Sequence, residues 1–241
     1  MIELQNLQCE FDKRVILQDI SLTIEKHLSI LGANGSGKST LAKAISSLTT
    51  FSGEIFIDSK NIERLSLNEK AKLISYIPAK LEIYDSFISV EEFVLLGRFP
   101  YKLNFMDYSE KDKKIASQTL EFLKISHLRS NVVSSLSSGE QQLCLIAQAL
   151  AQQSKIIIFD EPTANLDPHN SKIIAEHIKG LKEYHQVILI THDLHLASFI
   201  DSPILFIKEK SAHYYEENFF EDAILEQLYG VSFNSLAVQY D

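Results

Sequence analysis

Residues 32–40 read GANGSGKST, three glycines and a lysine packed behind the apolar run LSIL. Gly32, Gly37, Lys38 and Ser39 stand at the spacing G-x-x-x-x-G-K-[ST], directly after a strand-like stretch and directly before a helical one. A turn with so little side chain lets backbone N–H groups curve round an anion, and the helix that follows adds its unpaired N–H groups and positive dipole end. Lys38 would reach the terminal phosphates of a nucleoside triphosphate, and the Ser39 hydroxyl would serve Mg²⁺. The expected cradle is therefore Asn34, Gly35, Ser36, Gly37, Lys38, Ser39 and Thr40.

Three further groups have chemistry suited to such a ligand. The run IIIFDE, 156–161, ends an apolar strand in two carboxylates. Strand ends in a parallel sheet are where ligands gather, so Asp160 is expected to hold Mg²⁺ through water and Glu161 to orient or deprotonate the attacking water. His192 follows the strand VILI in the run THD. It is either a structural hydrogen-bonding histidine or a group at the γ-phosphate edge. LSSGE, 136–140, reads as a capping box through Ser137 and Glu140 ahead of an apolar helix, and equally as a second anion-binding helix start.

These groups need a scaffold. Five short apolar stretches (LSIL, EIFI at 54–57, LISYI at 73–77, IIIF and VILI) read as strands buried on both faces. Helical spacing places Leu41, Ala44, Ile45 and Leu48 on one face over 39–48, and Ile173, Ile174, Ile178 and Leu181 on one face over 171–184. Alternating strands and helices indicate an α/β domain with a mainly parallel sheet. The interval from about 85 to 152 instead reads as consecutive helices, a helical subdomain inserted in the sheet domain. From about 204 the chain reads as a closing strand pair and a short helix with packing roles.

The composition is that of a globular chain: 241 residues, 45% hydrophobic and 23% charged. A net charge of −9 argues against broad nucleic-acid binding. No run approaches the ~18 apolar residues of a membrane span, and MIELQNLQCE lacks the features of a secretory signal. The chain is expected in the cytosol, touching a membrane only through another protein. Cys9 and Cys144, with no second pair, read as reduced structural thiols.

Taken together and in order, the motifs resemble those of the ATP-binding cassette (ABC) ATPases. GANGSGKST is similar to their Walker A loop, IIIFDE to Walker B, LSSGE to the LSGGQ signature, ANLD at 164–167 to the D-loop, and His192 to the switch histidine. The likeness runs from Phe11, at the position of the adenine-stacking aromatic or else an ordinary core side chain, to LYGV at 228–231. It implies one P-loop NTPase domain over 1–241, with an N-terminal antiparallel β part and the signature motif in the helical subdomain. It also implies ATP and Mg²⁺ as ligands, Glu161 and His192 as catalytic groups, and Asp167 as the D-loop carboxylate. Ser137, Ser138, Gly139 and Glu140 of one subunit would close over ATP on a second copy, in a head-to-tail dimer.

The chain departs from the family pattern at Ser138, Glu140 and Ala79. The last stands in YIPAKLEIY where the family has a Q-loop glutamine, and alanine can neither ligate Mg²⁺ nor hold water. Either hydrolysis leans on Glu161 and His192, or coupling to a partner is altered; slow but real turnover is expected. FISVEEFVLLGRFPY, 87–101, resembles a segment of metal-chelate importers (ferric siderophore, haem or cobalamin), and by that resemblance its cluster Gly97, Arg98, Phe99 and Pro100 would sit at the surface that receives a coupling helix from an integral membrane permease, with a substrate-binding protein as indirect partner. Val90, Phe93 and Val94 there equally make an ordinary core stripe. The implied protein lies on the inner face of the plasma membrane. The alternatives are a soluble, non-transport ABC ATPase and a regulatory module that binds ATP without turnover.

Overall fold

The computed structural model describes residues 1–82, 85–102 and 107–230. Val231 of the LYGV stretch and Ile83 and Tyr84 of YIPAKLEIY lie outside the described residues. In chain order the elements are β1 (Ile2–Phe11), β2 (Arg14–Ile24), β3 (Leu28–Gly32), α1 (Lys38–Ile45), β4 (Ser52–Ile57), β5 (Lys60–Asn61), α2 (Leu67–Leu73), β6 (Ile74–Ile77), α3 (Val90–Leu95), α4 (Glu110–Phe122), α5 (Ser138–Ala151), β7 (Ile156–Asp160), α6 (Pro168–Leu181), β8 (Gln186–Ile190), α7 (Leu194–Ile200), β9 (Ile204–Lys208), β10 (Ser211–Tyr215) and α8 (Asp222–Tyr229). The fold is α/β. Two compact units form: Met1–Arg64 with Gln186–Asp241, and Leu65–His185.

The first unit carries an antiparallel sheet in the order β2-β1-β4-β5. EIFI falls in β4 of this sheet and not in the parallel one. Its flanks show why: β4 is exposed at Ser52, Gly53 and Glu54, and only Ile55 and Ile57 turn inward, a one-sided burial that the four apolar-looking letters disguise. The unit's other strands run β10-β9-β3-β8, with β9, β3 and β8 parallel and β10 antiparallel to β9. β3 is buried at every position, as a strand flanked on both sides and covered on both faces requires. Leu41, Ala44 and Ile45 of α1 are fully buried, but Leu48 lies past the helix end and is 60% exposed. The closing strand pair β9/β10 and the short helix α8 appear where the tail pattern placed them. They surround a cluster of Phe206, Phe219, Tyr215 and Tyr229 rings meeting edge to face or tilted.

The second unit pairs β6 with β7 in parallel, Ile74 opposite Ile156 through Ile77 opposite Phe159. Its helices include α3, α4 and α5, each opened by a serine N-cap in a capping box: Ser89 with Glu92, Ser109 with Asp112, Ser137 with Glu140. Val90, Phe93 and Val94 are buried, so the core stripe in α3 is real. The same segment refutes part of the surface expectation. Arg98 is 2% exposed, not displayed for a partner. Its Nε donates to Asp112 Oδ1 at 2.9 Å, its Nη1 to the Ala151 carbonyl at 2.7 Å and to Gln153 Oε1 at 3.0 Å, and the guanidinium stacks 3.8 Å from the Tyr101 ring centre. Phe99 points the other way, 65% exposed.

Cys9 and Cys144 are buried and unbridged. Burial pushes their thiols up to about 11 and about 12, keeping both as unreactive packing groups near neutrality. No helix among the described residues is long and apolar enough to cross a membrane.

Candidate active site

The phosphate-type loop leaves β3 at Gly32. There φ is +148°, and a Cβ would lie 2.5 Å from the Ile207 carbonyl of the neighbouring strand β9, so no other residue fits without moving that strand. Gly35 (φ +78°) and Gly37 (φ +106°) carry the turn into α1, and Gly35 has open space where a Cβ would stand. Lys38 is folded back into the loop, its Nζ donating to the Gly32 and Ala33 carbonyls at 2.9 and 3.2 Å. A cavity of about 420 Å³ opens here, lined by Phe11, Gly35, Lys38, Ser39 and Thr40 among others. Phe11 is 70% exposed, so it is not a core side chain.

Two observations show that this loop suits a polyphosphate. The buried Ser36 Oγ has no hydrogen-bond partner within the protein, a cost that a ligand oxygen would remove. Nothing lies within 4 Å of where a Gly35 Cβ would stand, and the Lys38 ammonium is held in the same turn by the Gly32 and Ala33 carbonyls.

His192 reaches the same edge of the sheet. β8 runs parallel to β3, Leu28 opposite Ile188 and Ile30 opposite Ile190, so β8 stops two residues short of the end of β3 at Gly32 and His192 follows on the same side of the sheet. Thr191 N–H donates to the Ile30 carbonyl at 3.2 Å, tying the residue before His192 to the strand that feeds the loop. His192 itself is exposed, and Asp193 next to it caps α7 by accepting from the N–H groups of His195 and Leu196.

In the second unit Asp160 closes β7 at 4% exposure, and Glu161 follows with φ +49°, in the left-handed region. Tyr76, which the sequence reading passed over, donates its phenolic hydrogen to Asp160 Oδ2 at 2.6 Å. Burial, with this bond and the carboxylate's charge, pushes the phenol far above its ordinary range, so Tyr76 is always the donor. Ser39 and Asp160 offer hard oxygens of the kind Mg²⁺ takes alongside phosphate.

LSSGE forms the capping box its spacing allows. Ser137 N–H and Oγ donate to Glu140 Oε2 at 2.9 and 2.7 Å, and Glu140 N–H donates back to Ser137 Oγ at 3.4 Å. The Ser137 donors hold the Glu140 carboxyl below its usual range. Glu140 thus does at the helix start what a glutamine could do, with charge added beside the dipole. Ser137→Ala removes the cap and should cost about 1 kcal/mol of stability, read as a lowered Tm. Gly139 packs against Asn170, which lies outside every motif named above: a Cβ at Gly139 would lie 2.7 Å from Asn170 Cγ. Asn170 is fixed by Asp167, whose carboxylate caps α6 by accepting the Asn170 N–H at 3.0 Å and also takes its side-chain amide. The D-loop carboxylate and the signature glycine are therefore one residue apart in space. Its signal in the sequence was the position of Asn170, three residues past a capping aspartate.

The chain is similar in sequence and fold to known proteins. The family described as "ABC transporter" matches residues 17–164. The petrobactin import ATP-binding protein YclP of Bacillus subtilis is 31% identical, the match covering 96% of this chain and 94% of that one. A metal-chelate-type ABC transporter solved in an inward-facing conformation superposes with a TM-score of 0.83 at 26% identity, over 96% of this chain and 89% of that one. The dimeric ABC transporter cassette MJ0796 superposes with a TM-score of 0.77 at 27% identity, over 91% and 100%.

Proposed function

We propose, for a chain that belongs to the ABC transporter family of ATPases, that it hydrolyses ATP to drive uptake of an iron chelate through a separate membrane permease. The observation carrying the nucleotide assignment is the loop itself, with Ser36 Oγ buried without a partner beside a lysine clamped in the turn. The cargo assignment is supported by the likeness to the petrobactin importer and to the metal-chelate-type transporter. The permease assignment is supported by three large apolar side chains at the surface of the second unit, Phe87 (85% exposed), Leu96 (44%) and Phe99 (65%).

In this reading Asn34 to Thr40 bind the phosphates through backbone N–H groups and the Lys38 ammonium, and Phe11 stacks on the base. Ser39 and Asp160 hold Mg²⁺, Asp160 through water; the ion neutralises charge that develops on the transferred phosphoryl group. Glu161 aligns and takes a proton from the attacking water, and His192 donates toward the γ-phosphate edge. A second copy, arranged head to tail, supplies Ser137, Ser138, Gly139 and Glu140, with Asp167 at the same interface. The dimeric MJ0796 cassette supports the pairing of two copies. The whole chain acts as one ABC ATPase domain, at the inner face of the plasma membrane, and a substrate-binding protein delivers the cargo.

The test is reconstitution. The protein, purified with its integral membrane partner and placed in liposomes, should release phosphate faster when a receptor loaded with ferric siderophore is supplied, and should move iron into the lumen. Equal phosphate release with loaded and empty receptor, and no iron uptake, would remove the cargo assignment.

A further inference from the structure

Tyr76 sits on β6 opposite Ile158 of β7, and its side chain extends along the neighbouring strand to the last residue, Asp160. The contact, 2.6 Å, has the length of a hydroxyl donating to an ionised carboxylate, with Asp160 buried and Tyr76 half-buried. The strand presenting it is rigid. The hydroxyl of the preceding residue, Ser75, lies 2.9 Å from that of Ser154 and donates to the Ala149 carbonyl, which pins β6 beside the start of β7. With one carboxylate oxygen taken by the phenol, rotation about the Asp160 Cβ–Cγ bond is fixed, and so is the direction of the other oxygen.

We propose that Tyr76 is a positioning residue for the metal-holding carboxylate Asp160, and that through it β6 steers the cation in a chain where that strand runs on to Ala79 instead of a glutamine. The inference rests on the nucleotide reading above. β6 ends at Ile77, and only Pro78 separates it from the exposed Ala79, which brings no oxygen or nitrogen in its side chain. The polar group that β6 does send to the candidate metal ligand is the Tyr76 phenol. Groups that orient a metal ligand from behind commonly change metal affinity tenfold or more when removed.

The experiment uses Tyr76→Phe, which keeps the ring and deletes the hydroxyl, and reads Mn²⁺ binding by electron paramagnetic resonance in the presence of β,γ-imido-ATP. Mn²⁺ affinity should fall about tenfold, while affinity for the analogue in EDTA stays within about twofold and the nucleotide-free melting temperature holds. In an Asp160→Asn background, where the phenol faces no carboxylate, Tyr76→Phe should change Mn²⁺ affinity by less than about twofold, since the two residues act as one unit. Adding Ala79→Gln to Tyr76→Phe should recover part of the lost affinity. Unchanged Mn²⁺ affinity in Tyr76→Phe, with or without a lowered melting temperature, overturns the inference and leaves the phenol a packing group. Equal losses in the Asp160 and Asp160→Asn backgrounds overturn it too. If the unaltered protein binds neither the analogue nor Mn²⁺, the nucleotide reading fails first, and that result is distinct from the others.

Discussion

Glu161→Gln should lower the rate of phosphate release about 100- to 1,000-fold at saturating ATP, with nucleotide affinity held within about threefold. The size is that of removing a general base in a reaction where water attacks. The geometry favours this separation of binding from turnover. Glu161 stands one residue past β7 at φ +49°, outside the glycine turn at 32–40, and an amide keeps its size and shape. The turn it begins, where Ala164 N–H donates to the Glu161 carbonyl at 3.0 Å, uses only the backbone and survives the change. A blocked reaction should also trap the nucleotide-bound pair, so the variant should elute as a dimer on size exclusion with Mg²⁺ and ATP, where the active protein returns to monomer. Turnover equal to that of the unaltered protein would exclude Glu161 as the base. Loss of ATP binding along with turnover would instead place it in the binding site.

Arg98→Ala should destabilise the protein by about 3–5 kcal/mol, the range for leaving one member of a buried ion pair uncompensated. For a chain of this length that is a fall in Tm of roughly 6–20 °C. Arg98 and Asp112 side chains are 3% and 9% exposed, and the substitution strands the carboxylate, the Ala151 carbonyl at the end of α5 and the face of Tyr101 together. Removing the stranded charge tests the cause. Arg98→Ala with Asp112→Asn should recover more than half of the loss, because an uncharged amide costs less to bury and can still accept from Ser109. The pH dependence follows from Asp112. Burial alone would raise its carboxyl, but the Ser109 donors and the Arg98 guanidinium outweigh burial and hold it below the usual range. The unfolded chain therefore takes up this proton first as pH falls. The group's contribution is complete above the ordinary carboxylate pKa of about 4 and is lost as pH drops through the lower folded value. The gap between the unaltered protein and Arg98→Ala should narrow over that acid range. A fall in Tm under 2 °C for Arg98→Ala would show that the pair holds little.

What the sequence disclosed divides by the range of the interactions involved. The glycine turn, the Ser137–Glu140 capping box and the carboxylates at the end of β7 depend on residues within a turn or two of each other, so local spacing exposed them. Arg98 was misplaced because its partners, Asp112, Ala151 and Gln153, come from α4 and from around the end of α5, and nothing in GRFPY records whether the guanidinium turns in or out. Tyr76 read as one more apolar-strand residue because its function depends on which strand lies alongside. Leu48 satisfied a helical period that the chain abandons after Ile45, where Ser46 and Ser47 close the helix, Ser47 at φ +56°. Phe11 had two readings that no pattern could separate, and its exposure removes the one that made it a core side chain.

The strand order of the first unit also sets a timetable on the ribosome. β3 and its loop are made early, yet the strands hydrogen-bonded to its two edges are β8 and β9, which begin at Gln186 and Ile204. At about 5–20 residues per second, the nascent β3 waits roughly eight to thirty-five seconds before the strands for its edges are made, exposed meanwhile to chaperones and to mispairing.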